Sequence, residues 1–299
     1  MILELKSIEK SFGPKKVLSS LDIKAESGKA FGLLGRNGAG KTTTIRILMD
    51  VFPADSGSVL IDGAPIDYDK IKFGYLPEER GLYPKKVIFD QLVYFALLKG
   101  MSLRAAEKSI SYWLTRLGMA EEKKKRLDTL SKGNQQKIQL ITAIAHDPDI
   151  VVLDEPFSGL DPVNAMLLKS VVRELIEKGK IVLFSSHQMN YIEEFCDSIA
   201  ILKDGRIAVS GDIAALKRSY VRDRLVVKTQ HPEALKRDFA HRICGEERDT
   251  VIIRMDRPED KREFMCRLAE SYDIEGVSVY EPSLNDIFVK YAGDSEEEE

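Results

Sequence analysis

The chain has 299 residues, of which 43% are hydrophobic and 31% are charged, and its formal net charge is -3. This length allows one large domain and a smaller one. No run of about 18 apolar residues occurs, so the sequence predicts no membrane-spanning helix. Five of the last six residues are acidic. We expect residues 294–299 to form a disordered acidic tail, and the nearly neutral remainder offers no broad basic surface for nucleic acid.

Strands and helices are predicted to alternate through residues 1–218. Apolar residues recur at helical spacing from residue 87 to about residue 125. Continuous apolar runs, by contrast, are typical of strands that are buried on both faces of a parallel sheet. The pattern predicts an α/β core that is interrupted by a helical insert at about residues 84–140. Strands are predicted at 1–35, where there are two or three, and at 59–61, 72–76, 150–153 and 181–184.

After about residue 218 the pattern changes to short strands and helices in the order β-α-β-α-β-α. This order predicts a small α+β domain over residues 219–293. Its strands are predicted at 225–227, 251–253 and 274–280, and its later helices at 258–271 and 283–291.

A glycine-rich segment, GRNGAGKTT, follows the predicted strand Phe31–Leu34 and precedes a predicted helix. This is the G-x-x-x-x-G-K-S/T pattern, whose backbone amides and helix N-terminus bind a chain of phosphates. We expect Lys41 to reach the β- and γ-phosphates and the Thr42 hydroxyl to ligate Mg²⁺. An ordinary glycine turn is the alternative interpretation. The predicted nucleotide-binding residues of this segment are Gly35, Arg36, Asn37, Gly38, Ala39, Gly40, Lys41, Thr42 and Thr43.

Three further side chains follow predicted buried strands. Asp154 and Glu155 come directly after the predicted strand at 150–153. In parallel sheets, ligands bind at the edge where the strands end. We predict that Asp154 holds Mg²⁺ through water and that Glu155 is the general base that activates the attacking water. His187 follows the strand at 181–184 and is predicted to contact the γ-phosphate. A purely structural role is the alternative for each residue.

A second predicted anion site is the start of the helix that Ser131 and Gly133 open. The sequence contains no second phosphate loop for it to serve. The simplest interpretation is that it binds the γ-phosphate of ATP held by another copy. A helix cap without a ligand is the alternative.

Together these segments resemble the ATP-binding cassette (ABC) ATPases, over residues 1–218. GRNGAGKTT is similar to their Walker A motif, LSKGNQQK to their signature, VVLDEP to their Walker B, SGLD to their D-loop and SSH to their switch histidine. The resemblance implies a P-loop NTPase (RecA-like) core with a β-subdomain and a helical insert. It adds Phe12, as the ring that stacks on adenine, and Val17 and Asp161 to the nucleotide-binding residues.

The sequence departs from the family pattern at two places. Glu78 stands after a predicted strand where the family has glutamine, and we expect it to coordinate Mg²⁺ and to take part in catalysis. Lys132 and Asn134 replace the glycine and glutamine of the signature. Lys132 would offset part of the negative charge that Glu78 adds, so we expect nucleotide binding to be retained.

The segment EPSLNDIF at 281–288 resembles the closing segment of ATP-binding subunits from bacterial and archaeal efflux systems. The resemblance implies an ATP-hydrolysing subunit that energises export through a separate integral-membrane permease, with ATP and Mg²⁺ as cofactors. It further implies a homodimer, or a heterodimer with another ATP-binding subunit, that is cytoplasmic and peripheral on the inner face of the membrane. We expect the permease to contact residues 78–89, with Tyr83 and Phe89 as anchors, and no nucleic acid to bind.

Two alternatives stay open at this point. A soluble ABC protein acting on ribosomes or nucleic acid is disfavoured by the single cassette and by an insert without sustained heptads. A P-loop GTPase or kinase is disfavoured because no Asn-Lys-x-Asp tetrapeptide occurs.

Overall fold

The computed structural model describes residues 1–79, 81–220 and 222–293, so the predicted acidic tail lies outside the described residues. The chain forms two compact units, residues 1–213 together with the described residues from Phe288 onward, and residues 214–287. We keep the division into domains of residues 1–218 and 219–293 as a proposal. None of the helices in the described part of the chain has the length and hydrophobicity needed to span a bilayer.

The main sheet of the first unit has six strands in the order β10-β9-β3-β8-β7-β6. All neighbouring pairs are parallel except β9 and β10, which are antiparallel. The carboxyl ends of β3, β6, β7 and β8 therefore lie at one edge of the sheet. The six strands are β3 (Ala30–Gly35), β6 (Phe73–Leu76), β7 (Ile150–Asp154), β8 (Ile181–Ser185), β9 (Ser198–Lys203) and β10 (Arg206–Asp212).

Three of these strands are buried along their whole length, namely β3, β7 and β8. Strands of this kind occur where helices cover both faces of a sheet, which is why their sequences are continuous apolar runs. The helices of this unit outside the insert are α1 (Lys41–Leu48), α5 (Pro162–Glu177) and α6 (Met189–Phe195), and α7 (Ile213–Arg218) begins at the end of the unit.

A second, antiparallel sheet of four strands has the order β2-β1-β4-β5 and forms the predicted β-subdomain. Its apolar face shares one core with the main sheet and α1, in which Leu5 and Ile8 belong to the same buried cluster as Phe31 and Ile45. The strands are β1 (Ile2–Phe12), β2 (Lys15–Glu26), β4 (Ser56–Ile61) and β5 (Ala64–Pro65).

The helical insert contains α2 (Ile88–Leu98) and α3 (Leu103–Arg116), followed by α4 (Lys132–Ile144). In α3 the buried residues Ala106, Ile110, Trp113 and Leu114 recur at helical spacing, which is the pattern that predicted this helix. Ser102 caps α3 by accepting a hydrogen bond from the Ala105 amide.

The second unit is a four-stranded antiparallel sheet in the order β12-β13-β11-β14. With its helices it has the β-α-β-β-α-β order of a split βαβ fold. Its apolar core contains Leu225, Val251 and Phe264. The elements are β11 (Arg224–Lys228), α8 (Pro232–Asp238), β12 (Ile243–Glu247), β13 (Thr250–Arg254), α9 (Lys261–Ser271) and β14 (Gly276–Val279), and α10 (Leu284–Ala292) follows.

The predicted order of this unit was wrong in one respect, because β12 was not foreseen. Its sequence ICGEE has one strongly apolar residue and ends in two exposed glutamates. Within the described residues the strand pairs with β13 alone and lies at the edge of the sheet. Its less exposed positions are Ile243 and Gly245, so a glycine stands where an alternating sequence would need a second apolar side chain.

Candidate functional site

The loop between β3 and α1 is shaped by its glycines. Gly38 and Gly40 have left-handed backbone angles, with φ of 83° and 114°. A Cβ atom on Gly40 would lie 2.6 Å from the Leu18 side chain, so no other residue fits there without a shift. A Cβ on Gly38 would meet nothing within 4 Å, which shows that this part of the loop is open. The N-cap residue of α1 is Gly40, which makes no side-chain cap hydrogen bond, so the start of this helix lacks the cap that would compete with an anion.

The Lys41 side chain folds back over this loop. Its Nζ donates to the carbonyl oxygens of Gly35, at 2.6 Å, and Arg36, at 3.3 Å. Burial lowers the pKa of Lys41, while the carboxylates of Glu155, Asp154 and Glu78 act in the opposite direction. The ammonium group is therefore partly desolvated among carboxylates at the centre of the predicted phosphate site. Thr42, the next residue, is exposed.

Asp154 ends β7 and is buried, with the Tyr75 hydroxyl 3.5 Å from its Oδ2. Burial raises the pKa of Asp154, and the charges of Glu78 and Glu155 add to this effect, whereas Lys41 opposes it. Burial, with the Asp154 charge, also raises the pKa of Tyr75 to about 12, so that this phenol is a neutral donor near pH 7. The carboxylate is thus held in an environment that favours its partnership with a cation.

Glu155 is also buried, but hydrogen-bond donors surround it. Oε1 accepts from the His187 backbone amide at 2.8 Å and contacts His187 Nδ1 at 2.6 Å, while Oε2 accepts from the Ser186 hydroxyl at 2.9 Å. The residue has a φ of 49°, a conformation that costs about 1–3 kcal/mol in a residue other than glycine. The amide of Glu155 donates to the Ser185 carbonyl, which ties this turn to the end of β8. The predicted residues Glu155 and His187 are therefore in direct contact.

Glu78 is exposed and follows β6, and its charge acts on both Lys41 and Asp154. The backbone on either side of it is held by Gln139, a buried residue of α4 that the sequence analysis did not identify. Gln139 Nε2 donates to the carbonyl oxygens of Pro77 and Glu79, both at 3.1 Å. The signal was present, because a glutamine among the apolar residues of α4 must find hydrogen-bond partners when it is buried.

The residues predicted for a second nucleotide form a separate cluster of contacts. Ser131 caps α4, accepting from the Asn134 amide at 3.4 Å. A Cβ on Gly133 would lie 2.9 Å from Nδ2 of Asn164, and Asp161 accepts from the amide of that same asparagine at 2.9 Å. The starts of α4 and α5 are therefore packed together through Asn164.

Phe12 and Val17 lie on the β-subdomain. Phe12 is half exposed at the end of β1, where its ring packs edge-on against Phe52 with 5.5 Å between the centroids. The Lys10 Nζ atom lies 5.7 Å from the centroid of the same ring. Val17 lies on β2, next to the phosphate loop. A Cβ atom added to Gly40 would lie 3.3 Å from the Val17 carbonyl oxygen.

The donors in the cleft suit Mg²⁺, which prefers oxygen ligands and is usually bound by one or two carboxylates together with phosphates and water. Thr42, Asp154 and Glu78 supply such oxygens. Over the described ranges no group of three or more His, Cys, Asp or Glu side chains is arranged to hold a metal ion.

Comparison with known protein families gives two matches. Residues 18–158 match the family described as ABC transporter. Residues 211–292 match the family described as ATP-binding protein DrrA1-3-like, C-terminal domain.

Individual relatives agree with these matches. The uncharacterized ABC transporter ATP-binding protein YhaQ of Bacillus subtilis is 40% identical over 294 residues, 98% of this chain and 99% of that one. Nod factor export ATP-binding protein I of Burkholderia lata is 32% identical over 223 residues, 73% of each chain. A solved structure of an ATP-binding subunit of an ABC transporter superimposes with a TM-score of 0.67 at 29% identity, covering 73% of this chain and 92% of that one.

The raised pKa of Asp154 leads to a prediction about stability. At neutral pH its ionised form is less favourable in the folded chain than in the unfolded one, so Asp154→Asn should raise the midpoint of thermal unfolding by a few degrees. The difference from the wild type should shrink as the pH falls toward the pKa of Asp154. Differential scanning calorimetry without nucleotide measures both effects.

Asp161→Asn is the matched control, because hydrogen bonds from Asn164 lower the pKa of Asp161 and its charge stabilises the fold. This variant should have an unchanged or lower midpoint. A midpoint for Asp154→Asn at or below that of the wild type would contradict the argument from burial.

Proposed function

This chain belongs to the family of ABC transporter ATP-binding subunits, which hydrolyse ATP, and we propose that it energises export through an integral-membrane permease that is a separate chain. The predicted resemblance, fold class and transporter-ATPase function are confirmed by the family matches and relatives. The alternative of a protein acting on ribosomes or nucleic acid gains no support from these relatives. Export is supported by the relative that is named for Nod factor export.

One observation carries the assignment of the catalytic cleft: Lys41, Asp154 and the Glu155–His187 pair lie together at the carboxyl edge of the main sheet. In the proposed mechanism Lys41 exchanges the carbonyl oxygens of Gly35 and Arg36 for the β- and γ-phosphates. The loop amides and the start of α1 bind the same phosphates. Mg²⁺, held by Thr42, Asp154 and Glu78, would neutralise charge that develops on the phosphates.

Glu155 is the proposed general base. An ionised carboxylate has about four acceptor sites, and three donors occupy Glu155 here, which leaves a site for the attacking water. The carboxylate takes the proton of this water as the water attacks the γ-phosphate. His187 Nδ1 is engaged with Glu155, so Nε2 is the nitrogen that remains for the γ-phosphate. Because phosphate oxygens only accept hydrogen bonds, this contact requires the imidazolium form, with a hydrogen on each ring nitrogen.

A second copy of the subunit, or another ATP-binding subunit, is proposed to complete the site. The amides at the start of α4, with Ser131, Gly133 and the neighbouring Asp161, would bind the γ-phosphate of ATP held by the partner. Each dimer would then enclose two ATP molecules, and hydrolysis would open it. We place the complex at the cytoplasmic face of the membrane.

The proposed permease surface includes Tyr83, which is 52% exposed and whose ring stacks on Phe95 with 6.0 Å between the centroids. Phe89, the other predicted anchor, is half-buried. Tyr94, Leu97 and Leu98 of α2 are exposed nearby in sequence and extend the apolar character of this surface. Exposed apolar patches of this kind are typical of protein interfaces.

Glu155→Gln tests the proposed chemistry. The amide keeps the shape of the side chain but cannot accept the proton, so kcat for ATP should fall by about 10²–10⁴-fold. ATP should still bind, and light scattering in Mg-ATP should detect a stable dimer. Glu177→Gln, at an exposed position on α5, is the control and should behave as the wild type. A Glu155→Gln protein that stays monomeric in ATP and turns over normally excludes Glu155 as the base.

Tyr83→Ala tests the permease surface. Copurification of the polytopic membrane protein from detergent-solubilised membranes should fall, because the variant loses an exposed aromatic anchor, while basal ATP hydrolysis should not change. Tyr112→Ala removes another tyrosine of the insert, 50% exposed, and should leave copurification unchanged. Equal recovery of the membrane partner with both variants would remove Tyr83 from the interface.

A further inference from the structure

Gln139 connects α4 to the backbone around Glu78. It is only 4% exposed, and its Nε2 donates to the Pro77 and Glu79 carbonyl oxygens, each at 3.1 Å. An amide nitrogen carries two hydrogens, so both are used on carbonyls that lie immediately before and after Glu78. The Gln139 side chain thus binds main-chain atoms and leaves the Glu78 side chain exposed.

The same helix also fixes the strand that leads to Glu78. His146, just beyond the end of α4, has Nε2 2.9 Å from the Phe73 carbonyl oxygen. A Cβ on Gly74 would lie 2.2 Å from the Ala143 carbonyl oxygen, so helix and strand backbones are in close contact. From Phe73 to Glu79 the chain is therefore held against α4 at both ends of β6.

The other end of α4 begins after Ser131, eight residues before Gln139, which is about 12 Å along a helix. In the proposed function, on which this inference rests, that end meets the γ-phosphate of the partner's ATP. A helix with a continuous hydrogen-bond ladder moves as one element. A displacement of its start would therefore be passed to the carbonyls on either side of Glu78.

We propose that Gln139 is a positioning residue, whose side-chain amide holds the backbone around Glu78 beside the nucleotide site. Through this contact the position of Glu78 depends on the position of α4. Glu78 would then approach the metal and γ-phosphate only when α4 is seated against the partner subunit. The clamp thus links closure of the dimer to assembly of the catalytic groups.

A second buried glutamine provides a matched contrast. Gln91 of α2 is 3% exposed, and its Nε2 contacts the carbonyl oxygens of Tyr83 and Lys86 at 3.5 and 3.3 Å. Gln91 thus binds two backbone carbonyl groups, as Gln139 does, but in a segment outside the nucleotide site. If burial and hydrogen bonding alone mattered, the same substitution at the two sites would have similar effects on catalysis.

The test compares Gln139→Met and Gln91→Met in the purified full chain. Methionine keeps the length of glutamine but donates no hydrogen bond. Gln139→Met should lower kcat for Mg-ATP by roughly ten- to a hundredfold through misplacement of Glu78, with KM changed by less than about threefold because the phosphate loop is untouched. Gln91→Met should keep the wild-type kcat at a similar loss of thermal stability.

A double-mutant cycle with Glu78→Ala tests whether Gln139 affects catalysis through Glu78. If Gln139 acts through Glu78, adding Gln139→Met to Glu78→Ala should lower kcat no further. Gln139→Asn, which keeps the amide but withdraws it by one methylene, should behave as Gln139→Met and replaces it if that variant does not fold.

The outcomes separate the inference from the proposed function. Wild-type kcat in Gln139→Met, or effects of the two substitutions that multiply in the double variant, would overturn the positioning role while Glu78 keeps its place in the site. A normal kcat in Glu78→Ala would overturn both the role of Glu78 and that of Gln139. Failure of the wild type to hydrolyse Mg-ATP would remove the proposed function itself.

Discussion

Negative charge at the carboxyl edge of the main sheet is the constraint on which the site depends. Asp154 ends a strand that is buried along its whole length, and Glu155 follows it. Glu78 adds a third carboxylate, whose charge acts on Lys41 and Asp154. Buried carboxylates are costly unless they are paired, hydrogen-bonded or bound to a metal. The packing of β3, β7 and β8 holds Asp154 and Glu155 in place, while Gln139 holds the backbone on either side of Glu78. In the proposed site a divalent cation would offset the charge of these carboxylates and of the anionic phosphates that bind beside them.

The two consecutive carboxylates differ because the backbone turns between them. The left-handed angle at Glu155 directs its side chain to Ser186 and His187, and their donors satisfy it, while Asp154 stays at the strand end with Tyr75. One carboxylate is thus suited to a cation and the other to a proton. Burial raises the pKa of Asp154 because the ionised carboxylate loses contact with water. In the proposed site Mg²⁺ would offset this cost, since the cation binds the ionised form.

Local signals were enough to predict the strands that carry the site. The apolar runs at 150–153 and 181–184 and the strand-turn-helix context of Lys41 required no knowledge of distant contacts. Gln139 was missed because its importance depends on carbonyls some 60 residues earlier in the chain. Strand β12 was missed because its less exposed positions are Ile243 and Gly245, which give the sequence only one strongly apolar side chain on that face. The pairing of Glu155 with His187 was likewise beyond the sequence, since it requires β7 and β8 to be neighbours.

Isothermal titration calorimetry of the full chain with ATP, in the presence and absence of Mg²⁺, tests the central claim most directly. If the strand-end carboxylates and the phosphate loop form one site that Mg-ATP completes, ATP with Mg²⁺ should give saturable heat. Binding should weaken when Mg²⁺ is withheld, because three carboxylates then face the phosphates without a cation between them. No heat from Mg-ATP at millimolar concentration, on protein shown to be folded, would contradict the account.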